Sequence, residues 1–436
     1  MTHSQMIDSL RPYLKRPIMA TFLLGISSGF PLTIVLSLMS GWLKDNGVSK
    51  TSIGLFALVT IPYLIKFLWA PLIDGIKLGA FARAFGHRRS WLLLIQAGLL
   101  LALFTLAGFD PSSQLMAVAV LAIIISTLSA SQDIVIDAYR IEIIDEANLG
   151  HGATMINFGY RTGNLIAGYA GFALADVLGW QTALTILGTL VIPGALAVFW
   201  IGEPANPEKQ ELDEEIANRF KGRPIMGFLY ESVLLPFREF MTRQNWLLIL
   251  LFVLFLKMGD ALADLMMTPF HLELGFSKLE IANYSKFVGT IALLAGIALG
   301  PILYFRLGAL KALFISAILM MLTNLVFIWA YYQGHDVTAL AVSVGAEKFA
   351  TGVGGTLVVA YLSSLCNHAF TATQYALLSA LAGVGRTIIG SSSGYLVDLY
   401  GWVDFFLITT AAAIPGVILL LMLWRRGVQE PANQEN

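Results

Sequence analysis

Apolar residues along this chain gather in runs of about 20 separated by short polar turns, a length that lets an α-helix cross the roughly 30 Å of hydrocarbon in a bilayer. Twelve such spans are predicted, at 18–41, 52–73, 90–108, 115–138, 151–175, 182–201, 245–268, 281–303, 309–331, 338–362, 374–397 and 403–424. Irregular backbone cannot face lipid, so each run is expected to be helical and the fold class all-α, a polytopic twelve-helix membrane protein. The first run follows Arg11, Lys15 and Arg16. It is too long for the apolar core of a secretion signal, and Trp42-Leu43-Lys44-Asp45 is no small-residue cleavage site, so it is expected to be a span. All nine tryptophans fall near predicted helix ends, where interfacial aromatic belts are expected.

Composition agrees with this pattern: 57% of residues are hydrophobic and only 13% charged, against about a quarter charged in soluble proteins. A formal charge of -1 gives no reason to expect a nucleic-acid partner. Cys366 is the sole cysteine, and the six histidines show no metal-ligand spacing, so neither a metal nor another cofactor is expected. With the N-terminus inside, cytoplasmic segments hold eighteen basic residues, among them Arg11, Arg83, Arg88, Arg140, Arg238, Arg306 and Arg425; the opposite side holds Lys44, Lys50 and Lys278. That asymmetry places both termini in the cytoplasm.

The long polar connection, residues 202–244, divides the spans six and six, giving halves at 1–201 and 245–436 joined by a cytoplasmic linker. The halves resemble one another. A shift of 222 residues lays Gly163 on Gly385, Gly168 on Gly390, Asp176 on Asp398, Gly179 on Gly401, Trp180 on Trp402 and Pro193 on Pro415 without a gap. A duplicated six-helix unit with parallel halves is the major facilitator arrangement, in which substrate is expected near mid-membrane between the halves and exposed alternately to each side.

Charges inside the spans carry the candidate chemistry. Lys66, Arg161, Lys257, Lys286, Lys348 and Arg386 lie there with Asp133, Asp137, Asp260, Asp264 and Glu347. Each costs about 2.5–3.5 kcal/mol or more facing lipid at the bilayer centre, so most are expected to face the protein or a watery cavity. Asp133 and Asp137, four residues apart, share one helix face and are candidates for proton coupling or gating, the deeper Asp133 foremost; Asp137 serves equally as a lock for Arg140. Lys257, Asp260 and Asp264 form a second stripe, with coupling, substrate contact or simple neutralisation open to it, and Asp264 nearer the outer end as a gate. Arg161 and Arg386, one turn apart in the repeat registration, are expected anchors for a carboxylate. Glu347 and Lys348 point about 100° apart on a helix, which favours Glu347 for the cavity. Tyr160, with Asn157, Asn164, Asn324 and Tyr361, supplies polar groups for a large hydrophilic substrate.

Several stretches then resemble one family: Gly29-Phe30-Pro31-Leu32, Lys66-Phe67-Leu68-Trp69-Ala70-Pro71-Leu72, Ser129-Ala130-Ser131-Gln132-Asp133-Ile134-Val135-Ile136-Asp137-Ala138, Gly159-Tyr160-Arg161-Thr162-Gly163 and the run from Leu365 through Asn367 to Ala380. In order across both halves, from about Ile18 to Trp424, they are similar to the AmpG muropeptide permeases; Asp74 through Gly86-His87-Arg88-Arg89 resembles the loop after the second helix of major facilitators in general. The resemblance implies an inner-membrane, proton-driven importer of N-acetylglucosaminyl-1,6-anhydro-N-acetylmuramyl peptides for cell-wall recycling, working as a monomer among membrane lipids. It implies Asp133 and Asp137 for coupling or gating and Arg161, Glu347, Asn367 and Arg386 for the binding site. Other readings are a facilitator for a siderophore or amphipathic drug, including an exporter, and a membrane enzyme. The enzyme is disfavoured because these charges spread over both halves and several depths instead of converging.

Overall fold

A computed structural model describes residues 11–48, 56–205, 234–256, 258–277, 280–390 and 392–426, with single positions between 211 and 230. Among these the regular structure is helical throughout. In chain order we name α1 (16–45), α2 (56–75), α3 (His87–Ala107), α4 (Leu115–Ile143), α5 (149–178), α6 (Trp180–Ile201), α7 (Trp246–Glu273), α8 (281–307), α9 (Ala309–Gln333), α10 (Val337–Ser364), α11 (Thr371–Gly390) and α12 (Ser393–Arg425). Eight of these stretches are long and apolar enough to cross a membrane unaided, or nine if α10 and 368–383 count as one bent span. The others are interrupted: α2 alternates 3-10 and α segments around Pro62 and Pro71, and α5 passes through a π turn at Ile166–Ala170. Large apolar side chains stay on the outside, including Leu101, Met116, Val177 and Phe305, an arrangement suited to lipid rather than water.

The chain forms two compact units, one of residues 1–238 with 366–377, the other of residues 239–365 with 378–436. In the first, α1 crosses α5 along glycines. A Cβ on Gly25 would stand 2.9 Å from the Gly159 Cα and 2.8 Å from the Tyr160 nitrogen, so only hydrogen at these positions lets the two backbones meet. Helix α1 runs on through Pro31 as far as Thr33, and a π segment follows at Ile34–Leu38. Proline removes one N–H and presses on the turn that precedes it.

In the second unit α8 crosses α10 in the same way, with a Cβ on Gly352 falling 2.9 Å from the Ile297 nitrogen. Its aromatic core holds Phe270, Phe327, Trp402, Phe405 and Phe406, with Phe270 edge-on to Trp402 at 5.0 Å between ring centres and Phe327 stacked on Phe406 at 5.3 Å. Gly401, at φ 75°, breaks the helical path of α12 just before Trp402. The predicted boundary is therefore real, but Trp402 and Trp42 are buried in protein and form no exposed belt. A tryptophan beside a helix end satisfies either setting, and only the tertiary packing separates them.

Candidate functional site

In the first unit the chemistry sits on α4. Asp133 and Asp137 are one helical turn apart, as their spacing requires, and the two are held differently. The Ser28 hydroxyl on α1 donates to Asp133 Oδ1 at 2.6 Å. Asp137 faces Arg140 at 3.5 Å, and the fully buried Arg140 guanidinium lies 5.5 Å from the centre of the Tyr375 ring. Lys66, buried on α2, acts electrostatically on both carboxylates. The neighbouring residues fix the register: Gln132 Nε2 donates to the Ser27 carbonyl at 2.6 Å, while Ser27 Oγ donates to the Leu190 carbonyl and accepts from the Gly194 N–H. Two consecutive residues of α1 thus hold two consecutive residues of α4, and α6 braces the first of them.

A second cluster, at the ends of the helices, joins residues far apart in sequence. Arg88 Nη2 lies 2.7 Å from Asp74 Oδ1 and 2.7 Å from Glu142 Oε1, with all three side chains almost wholly buried. Asp74 Oδ2 accepts from both the backbone N–H and the hydroxyl of Thr373 at 2.7 and 2.6 Å, and the Thr371 hydroxyl engages Glu142 and Arg88. Asp74 therefore caps the start of α11, whose first N–H groups have no helical partner. Glu203, just past α6, accepts from the Arg88 and Arg89 N–H groups at the start of α3. Burial holds its carboxyl above the ordinary range, although both N–H bonds pull the other way.

In the second unit Asp264 on α7 lies 3.1 Å from Lys348 Nζ, which is also 3.1 Å from Glu347; the Thr351 hydroxyl donates to Glu347 at 3.0 Å. Asp260, one turn from Asp264, borders a cavity of about 10 Å³, room for a single water, lined otherwise by apolar groups such as Phe252, Met320 and Val417. The expectation that Glu347 and Lys348 diverge is corrected: the lysine stem is long enough to bring its ammonium back beside Glu347.

The remaining expected site residues are placed as follows. Arg161 is exposed on α5 and makes no hydrogen bond or ion pair with a described residue; Tyr160 is half-buried one residue before it. Asn164 accepts from the Thr33 hydroxyl at 2.9 Å, and Asn157 donates to its own helix. Asn367 caps the turn ahead of α11, its Oδ1 accepting from the Ala369 N–H and its own N–H bonding Gln374. Lys257 and the side chains of Lys286 and Arg386 lie outside the described residues. Sequence reasoning singled out neither Ser28 nor Thr371 and Thr373, and it read Arg88 as a loop charge; the signal available was that Asp74 and Glu142 flank predicted span ends.

The profile of the Major Facilitator Superfamily matches residues 21–346. The chain belongs to the major facilitator superfamily. Within it the chain is 36% identical over 403 residues to the anhydromuropeptide permease of Escherichia coli (strain K12), across 92% of this chain and 78% of that one. It is 35% identical over 404 residues to the putative transporter AmpG 4 of Rickettsia felis, across 92% and 95%. Among solved structures, the proton:xylose symporter XylE aligns with a TM-score of 0.70 at 15% identity, covering 95% of each chain, and the human organic anion transporter MFSD10 with 0.69 at 16%, covering 93% and 99%. Those likenesses establish the fold. The AmpG-like permease is a multi-pass membrane transporter and not an enzyme.

Proposed function

We propose that this permease imports anhydromuropeptides across the inner membrane into the cytoplasm for cell-wall recycling, driven by protons. The substrate class is supported by the E. coli relative named anhydromuropeptide permease, which matches across 92% of this chain. The observation that carries the coupling is the Ser28–Asp133 hydrogen bond: a carboxylate within the membrane-spanning part, tied to a hydroxyl that remains a partner in either protonation state. A hydroxyl accepts from a carboxylic acid as readily as it donates to a carboxylate, so Asp133 can gain and lose a proton without losing its contact.

Asp137 is held to Arg140 and gates, while Asp133 carries the proton; Asp260 and Asp264 play the corresponding parts on α7. The substrate is a disaccharide peptide offering hydroxyls, amides, carboxylates and an amine. Arg161, exposed and uncommitted to any described residue, anchors a substrate carboxylate with Arg386, and Lys257, Tyr160 and Asn367 meet polar groups of the stem. Residues 202–244 connect the halves 1–201 and 245–436 and take no part in the chemistry. Labelled anhydromuropeptide should accumulate in proteoliposomes when the outside is made acidic, and only equilibrate when the gradient is collapsed. Accumulation indifferent to the gradient removes the coupling; absence of uptake with intact, oriented protein removes the substrate.

A further inference from the structure

One lysine in the second unit serves two carboxylates. Lys348 Nζ is 3.1 Å from Asp264 Oδ1 on α7 and 3.1 Å from Glu347 Oε2 on its own helix, so both acidic groups meet at one ammonium. The lysine stem passes over Gly289 of α8, where a Cβ would stand 3.2 Å from its Cγ. Glu347 is buried and further bound by Thr351, whereas the Asp264 side chain keeps 39% of its surface exposed. Two carboxylates converging on one point titrate as a pair, and a fixed cation between them sets where that titration falls.

We propose that Asp264, Lys348 and Glu347 form a proton-binding site in which Lys348 is the positioning residue. A proton arrives from water at the exposed Asp264 and adds to its carboxylate oxygen; the ammonium, no longer shared, is then held by Glu347 alone, and the tie between α7 and α10 is released. Loss of that proton to water restores the bridge. Lysine keeps all three of its protons throughout. The other charged or titratable groups on the surrounding elements are Asp260, His271 and Glu273 on α7, Tyr284, Lys286, Tyr304 and Arg306 on α8, Lys311, Tyr331 and Tyr332 at the ends of α9, and Tyr361 on α10; Lys257, and the side chain of Lys286, lie outside the described residues. This inference deepens the transport reading, moves Glu347 from substrate contact to proton binding, and rests on proton coupling only for its consequence in uptake.

The test is infrared difference spectroscopy of the purified full chain in lipid, following the carboxylic acid C=O band against pH in water and deuterium oxide. Lys348→Gln should move one carboxyl step upward by about a pH unit or more, because the neighbouring carboxylates lose a fixed cation. Lys348→Arg should return the step close to its original place. Asp264→Asn and Glu347→Gln should each remove the step that Lys348→Gln moves. In proteoliposomes the pH profile of gradient-driven anhydromuropeptide uptake should shift with the band. A band unmoved by Lys348→Gln, or one that persists in both Asp264→Asn and Glu347→Gln, overturns the proposal. If the band behaves as expected while no muropeptide is taken up, the proton site stands and the substrate reading fails. If Lys348→Gln does not fold, Asp264→Asn and Lys348→Arg decide by the same criteria.

Discussion

At the scale of single residues, the Ser28–Asp133 bond makes the sharpest demand. Replacing Asp133 with Asn keeps the shape and a partner for Ser28 but removes the titrating group, so gradient-driven accumulation should vanish while substrate exchange persists; unchanged accumulation would show that the proton travels elsewhere. Ser28→Ala should lower accumulation only partly, since hydrogen bonds to charged groups contribute about 1.5–3 kcal/mol and the carboxyl itself remains. A purely structural residue lies at the start of α10. The Asp336 side chain accepts from the Thr338 and Ala339 N–H groups, and these bonds hold its carboxyl below the ordinary range. A depressed carboxyl stabilises the fold above its unfolded value, and that contribution is lost as pH falls through the lowered one. Asp336→Ala should therefore lower the melting temperature at neutral pH and match the parent in strong acid, followed by tryptophan fluorescence. The periodicity of α4 revealed that Asp133 and Asp137 share a face. It did not reveal Ser28, because a partner 105 residues away leaves no trace in local spacing.

Helices are joined here by two devices, glycine seams and buried charge. Gly159 faces the Phe22 carbonyl and the Gly25 Cα of α1 with no room for a methyl group, so Gly159→Ala should overpack the seam by about 1–3 kcal/mol and lower the melting temperature. Gly383→Ala on α11 meets nothing within 4 Å and replaces a poor helix former, so it should leave stability equal or higher. Equal losses at both positions would mean that backbone propensity, rather than the crossing, sets the cost. The charged device behaves differently. Arg88→Gln strands Asp74 and Glu142 inside the protein, and breaking one side of a buried ion cluster costs about 3–5 kcal/mol. The Arg88 variant should unfold earlier and expose the turn before α11 to protease; protection equal to the parent would show that Thr371 and Thr373 suffice. Glycines in apolar runs and charges at their ends were both visible in the sequence. The capping of Thr373 by Asp74 was not, because it joins positions 299 residues apart that each read as an ordinary turn.

For the whole molecule, hydropathy and the distribution of basic residues specify spans and orientation together, since crossing a bilayer leaves few alternatives for backbone polar groups. The structure follows the predicted spans in the long helices and departs from them in α2 and α5, where 3-10 and π turns interrupt apolar segments at places that hydropathy does not mark. Orientation decides which face of the permease meets substrate first, and it is open to direct test. Once the buried Cys366 is replaced by alanine, a single cysteine at Ser112, between α3 and α4, or at Gln333, at the end of α9, should react with a membrane-impermeant maleimide applied to intact cells with a permeable outer membrane. A cysteine at exposed Arg83, between α2 and α3, should react only after the inner membrane is opened. Ser112 and Gln333 belong to different units, so their agreement checks that the sequence repeat carries the same orientation in both. Labelling of Arg83 from outside with protection of the other two would invert the topology. The face from which protons enter would then be the one assigned to the cytoplasm, and because a symporter carries substrate with the proton whichever way it is inserted, uptake would still run inward but from the opposite end of the helices.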